Sequence, residues 1–221
     1  RSIVRLCEST KQGGAVLLNG NGGSAVLLLE SSTMDSNKGT LGGAVSVYPG
    51  GALEVAEGTT SYLKNNIATS FGGGILINGE SSNLKVTGVG TQLVVDGNTA
   101  ATSGGGICAF GGASLLVSDG GHLNVSNNEA SSSYGGGIYV ETLGTILKIS
   151  GIGTKVTVSG NVAHQQGGGA YVASGGALEV AEGTTLYLKN NTGTFGGGIL
   201  INGKSSSLKV TGVGTQLVVD G

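Results

Sequence analysis

The sequence predicts an all-β fold, a single-stranded parallel β-helix (β-solenoid), and three observations carry the prediction. Gly-Gly-Gly or Gly-Gly-Ala followed by an apolar-x-apolar triplet recurs seven times, starting at Gly13, Gly42, Gly72, Gly104, Gly135, Gly167 and Gly196. Spacing of about 29–32 residues sustained over a whole chain is the mark of a solenoid whose coils stack one on the next. Glycine makes up 46 of 221 residues against a usual share of about 7%, while proline occurs once. Finally, every repeat carries short alternating apolar triplets separated by turns, the period-two pattern of strands.

Each element of one coil follows from that pattern. Between Gly72 and Ser103 the triplets are Ile75-Leu76-Ile77, Leu84-Lys85-Val86 and Leu93-Val94-Val95. In each, the first and third side chains point one way and the middle one the other. Three strands per coil give a triangular cross-section, expected to be right-handed by the usual chirality of parallel crossovers. One coil alone cannot offset the entropy of ordering its own backbone, so stacking must supply the missing burial and strand pairing. The chain is therefore read as one continuous solenoid over residues 1–221, about seven coils long and a segment of a longer repeat array. At about 4.8 Å per coil it is about 34 Å long.

Asn37, Asn66, Asn98, Asn128, Asn161 and Asn191 each lie three residues after an apolar residue: Met34, Leu63, Val95, Val125, Val158 and Leu188 respectively. Stacked asparagines pass side-chain hydrogen bonds from coil to coil, and asparagine tolerates the left-handed backbone of a sharp corner. This column is read as a structural corner ladder. Charges test the same register. The middle residues of the second strand, Glu54, Lys85, Leu116, Lys148, Glu179 and Lys209, alternate in sign wherever charges adjoin, and Lys64 meets Asp96 as Lys189 meets Asp220. A longer period lies over the short one. Gly51 to Gly97 and Gly176 to Gly221 agree at 41 of 46 aligned positions, the second copy lacking a counterpart of Ser70.

Composition excludes several classes. The 11% of charged residues is too low for stacked helix pairs, and the 38% of hydrophobic residues fall in register, unlike a disordered chain. A net charge of -2 without a basic cluster gives no support to nucleic acid as a partner. No apolar run approaches the roughly 18 residues of a membrane helix. The acids are scattered over turns and ladders, and no Asp pair is close enough in sequence to form a two-carboxylate site. His122 and His164 fall in different parts of successive coils, and no Gly-Gly-x-Gly-x-Asp nonapeptide occurs. No catalytic residue, metal site or cofactor is expected. Cys7 and Cys108 stand four coils apart, about 19 Å along the axis, too far for a bond within the chain. Asn124-Val125-Ser126 and Asn190-Asn191-Thr192 fit the glycosylation sequon, which matters only in a eukaryotic source.

One column offers a candidate interface. The middle residues of the first strand, Leu17, Ser46, Leu76, Cys108, Tyr139, Tyr171 and Leu200, are unusually apolar for side chains that leave the solenoid. An outward stripe of Leu17, Leu76, Cys108, Tyr139, Tyr171 and Leu200 would serve lateral contact with another solenoid, a covering segment or a target surface.

The paired motifs resemble the repeats of the chlamydial polymorphic membrane proteins, which carry GGA(I/L/V) and FxxN many times in the β-helical passenger of an autotransporter. Gly13-Gly14-Ala15-Val16 and Gly42-Gly43-Ala44-Val45 match the first motif outright, while five later coils carry Gly in place of Ala. In the second motif Phe is replaced by Met34, Leu63, Val95, Val125, Val158 and Leu188. The resemblance implies an extracellular or cell-surface setting. The expected role is a non-enzymatic structural protein, a stiff rod that builds a stalk or filament or displays adhesive surface. Its partners would be further copies, end to end or laterally, or another surface protein. The alternative is a receptor- or glycan-binding adhesin passenger with specificity in the turns Gly20 to Ser24 and Tyr48 to Gly51. A polysaccharide lyase or hydrolase is the distant third.

Overall fold

Four parallel sheets wind around one apolar core in the computed structural model, which describes residues 2–221. All the strands are short, because each apolar stretch is cut by a glycine-bearing turn. The first sheet has seven strands: Val16–Leu18, Val45–Val47, Ile75–Asn78, Ile107–Phe110, Ile138–Glu141, Ala170–Ala173 and Ile199–Asn202. The second sheet also has seven, from Ala25–Leu29 through Gly51–Val55, Asn83–Thr87 and Ser114–Ser118 to Ser207–Thr211. The third has eight, from Ile3–Arg5 and Thr33–Asp35 through Thr60–Lys64, Gln92–Asp96, His122–Ser126, Lys155–Ser159 and Thr185–Lys189 to Gln216–Asp220.

Register follows the repeat. Ile75 lies over Ile107, Ile107 over Ile138, Ile138 over Ala170 and Ala170 over Ile199. Leu84, Leu115, Leu147, Leu178 and Leu208 form the matching column of the second sheet, and Leu93, Leu123, Val156, Leu186 and Leu217 that of the third. These inward residues make one continuous core that runs the length of the solenoid. Each side chain thus packs on its own copies above and below, which is why the repeat tolerates only small changes of shape at these positions.

The coil has four strands where the sequence predicts three. The segment after the asparagine, read as part of a corner, pairs as a fourth sheet of six short strands: Lys38–Leu41, Ile67–Phe71, Thr99–Ala100, Glu129–Ala130, Val162–Gln166 and Thr192–Phe195. Only one residue of each faces the core, as Ala68, Ala100, Ala130 and Ala163 do, and the register slips near its two ends. A lone small inward residue leaves no apolar alternation to read, so the strand is invisible to a periodicity argument.

From the fourth sheet the chain turns back into the first through the paired glycines. Gly72 has φ +69°, a left-handed conformation, and a Cβ on Gly73 would collide with the carbonyl oxygen of Gly105 and the backbone of Thr99. The first glycine makes the turn and the second lets adjacent coils touch.

Candidate functional surfaces

The asparagine column is the most regular polar feature. Asn66 donates both its backbone N–H and its Nδ2 to Oδ1 of Asn98, each at 2.9 Å, and gives the other Nδ2 proton to the carbonyl of Met34 at 3.2 Å. Asn98, Asn128 and Asn161 repeat the arrangement one coil further each time. Asn37 begins it, and Asn191 completes it with a bond from Nδ2 to the carbonyl of Val158. Every one of the six side chains is buried, and each repeat satisfies the polar atoms it places there. Cys7 takes the place of an asparagine before Asn37, and its backbone N–H donates to Asn37 Oδ1 at 3.0 Å.

The ladder residues do not themselves hold the left-handed turn, which corrects one detail of the sequence reading. That conformation belongs to the residue before each: Ser36, Asn65, Gly97, Asn127, Gly160 and Asn190. The residue ahead of each rung makes the corner, and the buried asparagine keeps an ordinary backbone that aims its amide along the axis.

A second set of caps escapes the sequence reading altogether. Hydroxyls in the turns accept backbone N–H groups of the preceding coil: Thr91 from Gly58, Thr145 from Gly112, Thr154 from Gly120, Ser206 from Gly175 and Thr215 from Gly183, at 2.9–3.1 Å. The signal was available as the recurring Gly-Thr of Gly90-Thr91, Gly144-Thr145, Gly153-Thr154 and Gly214-Thr215.

The outward stripe of the first sheet needs a larger correction. Leu76, Cys108, Tyr139 and Tyr171 leave the solenoid as alternation requires, yet they are buried within the chain. They form a second apolar cluster with Ala173, against which Leu41, Tyr48, Phe71, Phe110, Tyr134 and Leu200 pack. The reason lies at the glycine corner. Leu41, Phe71 and Tyr134 immediately precede Gly42, Gly72 and Gly135, and the turn those glycines make brings them over the outer face of the sheet. Phe71 meets Phe110 edge to face at 6.1 Å, while Tyr171 stacks on Tyr134 at 4.9 Å and on Tyr139 at 5.5 Å. A covering segment of the chain itself thus occupies the middle of the stripe; only Leu17, 46% exposed, and the half-buried Leu200 remain reachable.

Burial pushes the Cys108 thiol well up from its ordinary range, with the nearby Glu141 carboxylate adding to it. Tyr139 is pushed up for the same reasons in the same order, burial first and Glu141 after. Both cysteines are free.

The charge columns align as read, but not every aligned pair is an ion pair. Glu54 and Lys85 meet at 2.8 Å. Lys64 and Asp96, and Lys189 and Asp220, are register partners whose ammonium groups go elsewhere. Lys64 Nζ lies 4.7 Å from the centre of the Tyr62 ring and Lys189 Nζ 4.7 Å from that of Tyr187. Asp96 instead accepts from Ser126 Oγ and Asn127 Nδ2 at 2.7 and 2.9 Å. His122 is exposed, and His164 Nε2 lies 3.0 Å from Glu129 Oε1. Among the described residues no three of His, Cys, Asp and Glu gather as a metal would require.

Three shallow hollows mark the outer surface. One of about 200 Å³ is lined by Gln92, His122, Leu123, Asn124, Lys155 and Thr157, and one of about 330 Å³ by Arg5, Thr33, Asp35, Tyr62, Lys64 and Asn65, both on the third sheet. The third, of about 370 Å³, lies at the turns of Gly22, Gly23, Pro49, Gly50, Glu80 and Ser81.

With this geometry in place, the similarity to known proteins falls on the features that build the coil. Residues 92–109 match the model of the Chlamydia polymorphic membrane protein repeat. That stretch runs from a third-sheet strand through Asn98 and the Gly104-Gly105-Gly106 corner to the next first-sheet strand, Ile107–Phe110, so it contains both motifs in their structural places. No curated protein matches the chain. The solved structure of a hyper-glycosylated TibA fragment, modified by TibC, aligns over the whole of both chains at 16% identity with a TM-score of 0.14, too low to bear on fold or function. The match covers 18 of the 221 residues, about half of one coil.

Proposed function

We propose that this chain is a rigid, non-enzymatic rod displayed at the cell surface, where it builds a stalk or filament or carries an adhesive surface away from the cell. The observation that supports it is the uninterrupted asparagine ladder inside stacked sheets, which ties every coil to the next through buried, fully used amides. Stiffness is the mechanical consequence, and reach grows with coil number. The match of residues 92–109 to a repeat of surface membrane proteins supports the location. Antibody raised against the folded chain is expected to label intact cells of the natural source, and electron microscopy of the released material to show rods or fibres. Labelling confined to permeabilised cells overturns the proposal.

A second reading, a receptor- or glycan-binding adhesin, is favoured by the hollows. The turn at Gly22–Gly23 and that at Pro49–Gly50 line one of them. Activity on polysaccharide is the remaining alternative, and turnover of a uronate polymer by the purified chain would establish it.

A further inference from the structure

The turns that join the second sheet to the third repeat over two coils, where the core repeats over one. Residues 88–91, 151–154 and 212–215 form four-residue turns, and 119–121 and 182–184 between them form three-residue turns. Each long turn lifts an aliphatic side chain into solvent: Val89, Ile152 and Val213 are 79, 88 and 97% exposed. The coils between them carry an acid at the same corner, Glu57, Asp119 and Glu182, all exposed. The corner is thus a ridge of alternating aliphatic and acidic tips, each kind recurring at about 9.6 Å. It is held in place, because the Thr91, Thr154 and Thr215 hydroxyls of the long turns accept the backbone N–H groups of Gly58, Gly120 and Gly183.

The outward column of the adjoining second sheet has the same two-coil period in the opposite phase. Lys85, Lys148 and Lys209 stand on the coils of the aliphatic tips, and Glu54, Leu116 and Glu179 on the coils of the acids. Lys85 meets Glu54. Among the described residues neither Lys148 nor Lys209 has a carboxylate within 4.0 Å, and none of Glu57, Asp119 and Glu182 has a cation that close. Asp119 accepts from its neighbour Ser118 Oγ at 2.8 Å. Lys155, the lysine beside the ridge, lies on the third sheet with its Nζ over the Tyr187 ring. One molecule therefore carries two parallel series of matching charges that it does not pair with each other.

We propose that the ridge of one molecule lies along the second-sheet face of a second copy, with the coils of the two rods out of phase. For rods pointing the same way, an offset of one coil sets Glu57, Asp119 and Glu182 opposite Lys85, Lys148 and Lys209 of the copy. The same offset lays Val89 on the row of Leu116. With no offset, Glu57 would face Glu54, Glu182 would face Glu179 and each aliphatic tip would face a lysine, so charge and desolvation together select the stagger. The relation recurs every second coil, and the contact grows with the length of the array. This deepens the rod reading and rests on it, naming the surface by which rods are bundled side by side.

Sedimentation of the whole chain over a concentration series tests it. Association is expected at about 0.05 M salt and should weaken about tenfold or more at about 0.5 M, because the facing charges meet near solvent. Asp119→Lys with Glu182→Lys should weaken it on the same scale, and so should Lys148→Glu with Lys209→Glu. Mixing these two variants should restore association, since each then carries the charges the other lacks. Lys38→Gln on the fourth sheet should change nothing, and circular dichroism checks that each variant keeps its fold. The inference is overturned if the chain stays monomeric at low salt, if association ignores the ridge and face variants as contact through the rod ends would, or if the mixed variants do not reassociate. Rods seen on intact cells, formed by a chain that stays monomeric in solution, sink the inference and leave the rod reading standing. Absence from the cell surface sinks the rod reading whatever sedimentation shows.

Discussion

Asn98 gives both its backbone and its side-chain N–H to the Oδ1 of Asn128, 2.9 Å away on the next coil. The bond pair has no solvent to fall back on, since both residues are buried. Replacing Asn128→Ala strands two donors of Asn98, each at about 1–3 kcal/mol, so the loss in unfolding free energy should reach about 3 kcal/mol or more. Asn37→Ala, which strands only the Cys7 N–H on this side, should cost about a third as much. Denaturant unfolding of the two variants measures the difference.

The glycine corner predicts a contrast between two residues of the same type. Gly73→Ala puts a methyl group into the backbone of the next coil and should disrupt stacking, with loss of cooperative unfolding. Gly58 is also left-handed, at φ +71°, but a Cβ there meets nothing within 4 Å. Gly58→Ala should therefore cost only the strain of that conformation, about 1–2 kcal/mol. Thermal melts of the pair distinguish collision from strain.

Cover over the first sheet predicts that Leu76 behaves as a core residue. Leu76→Ala should destabilise the chain by about 2–5 kcal/mol, whereas Leu17→Ala, half exposed near the first coil, should cost well under half of that. Urea titration reads both.

The buried thiol predicts both reactivity and pH dependence. A thiol reagent at neutral pH should modify Cys7 quickly in the native protein and reach Cys108 only on unfolding. Folding raises the Cys108 pKa above its ordinary value of 9.0, so the folded state keeps a proton that the unfolded chain releases. That contribution is complete below about pH 9 and is lost as pH rises further, with Tyr139 adding a second loss above its ordinary 10.0. Melting temperature should fall from pH 9 upward, and Cys108→Ala should move the onset toward pH 10.

Much of this architecture was legible because solenoids write their register into the sequence. Ile75, Ile107 and Ile138 announce their stacking by spacing alone, and the asparagines announce theirs by distance from the preceding apolar residue. What stayed hidden depends on contacts that periodicity does not encode. Ala100 and Ala130 are single inward residues without alternation, so the fourth sheet left no pattern. Alternation sends Leu76 and Tyr139 outward and is silent on what then covers them. The clue lay with Leu41, Phe71 and Tyr134 just before the glycines, whose φ values decide where those side chains land.

From Asn37 to Asn161, each rung gives its backbone N–H and one Nδ2 proton to the Oδ1 of the asparagine on the later coil, so every Oδ1 in the column faces the earlier coil. The amide dipoles therefore add along the axis and give the molecule a head and a tail. Further turns, or a second molecule, can extend the series only in that sense. Head-to-head contact would set oxygen against oxygen, so any fibre built from such units is a vector.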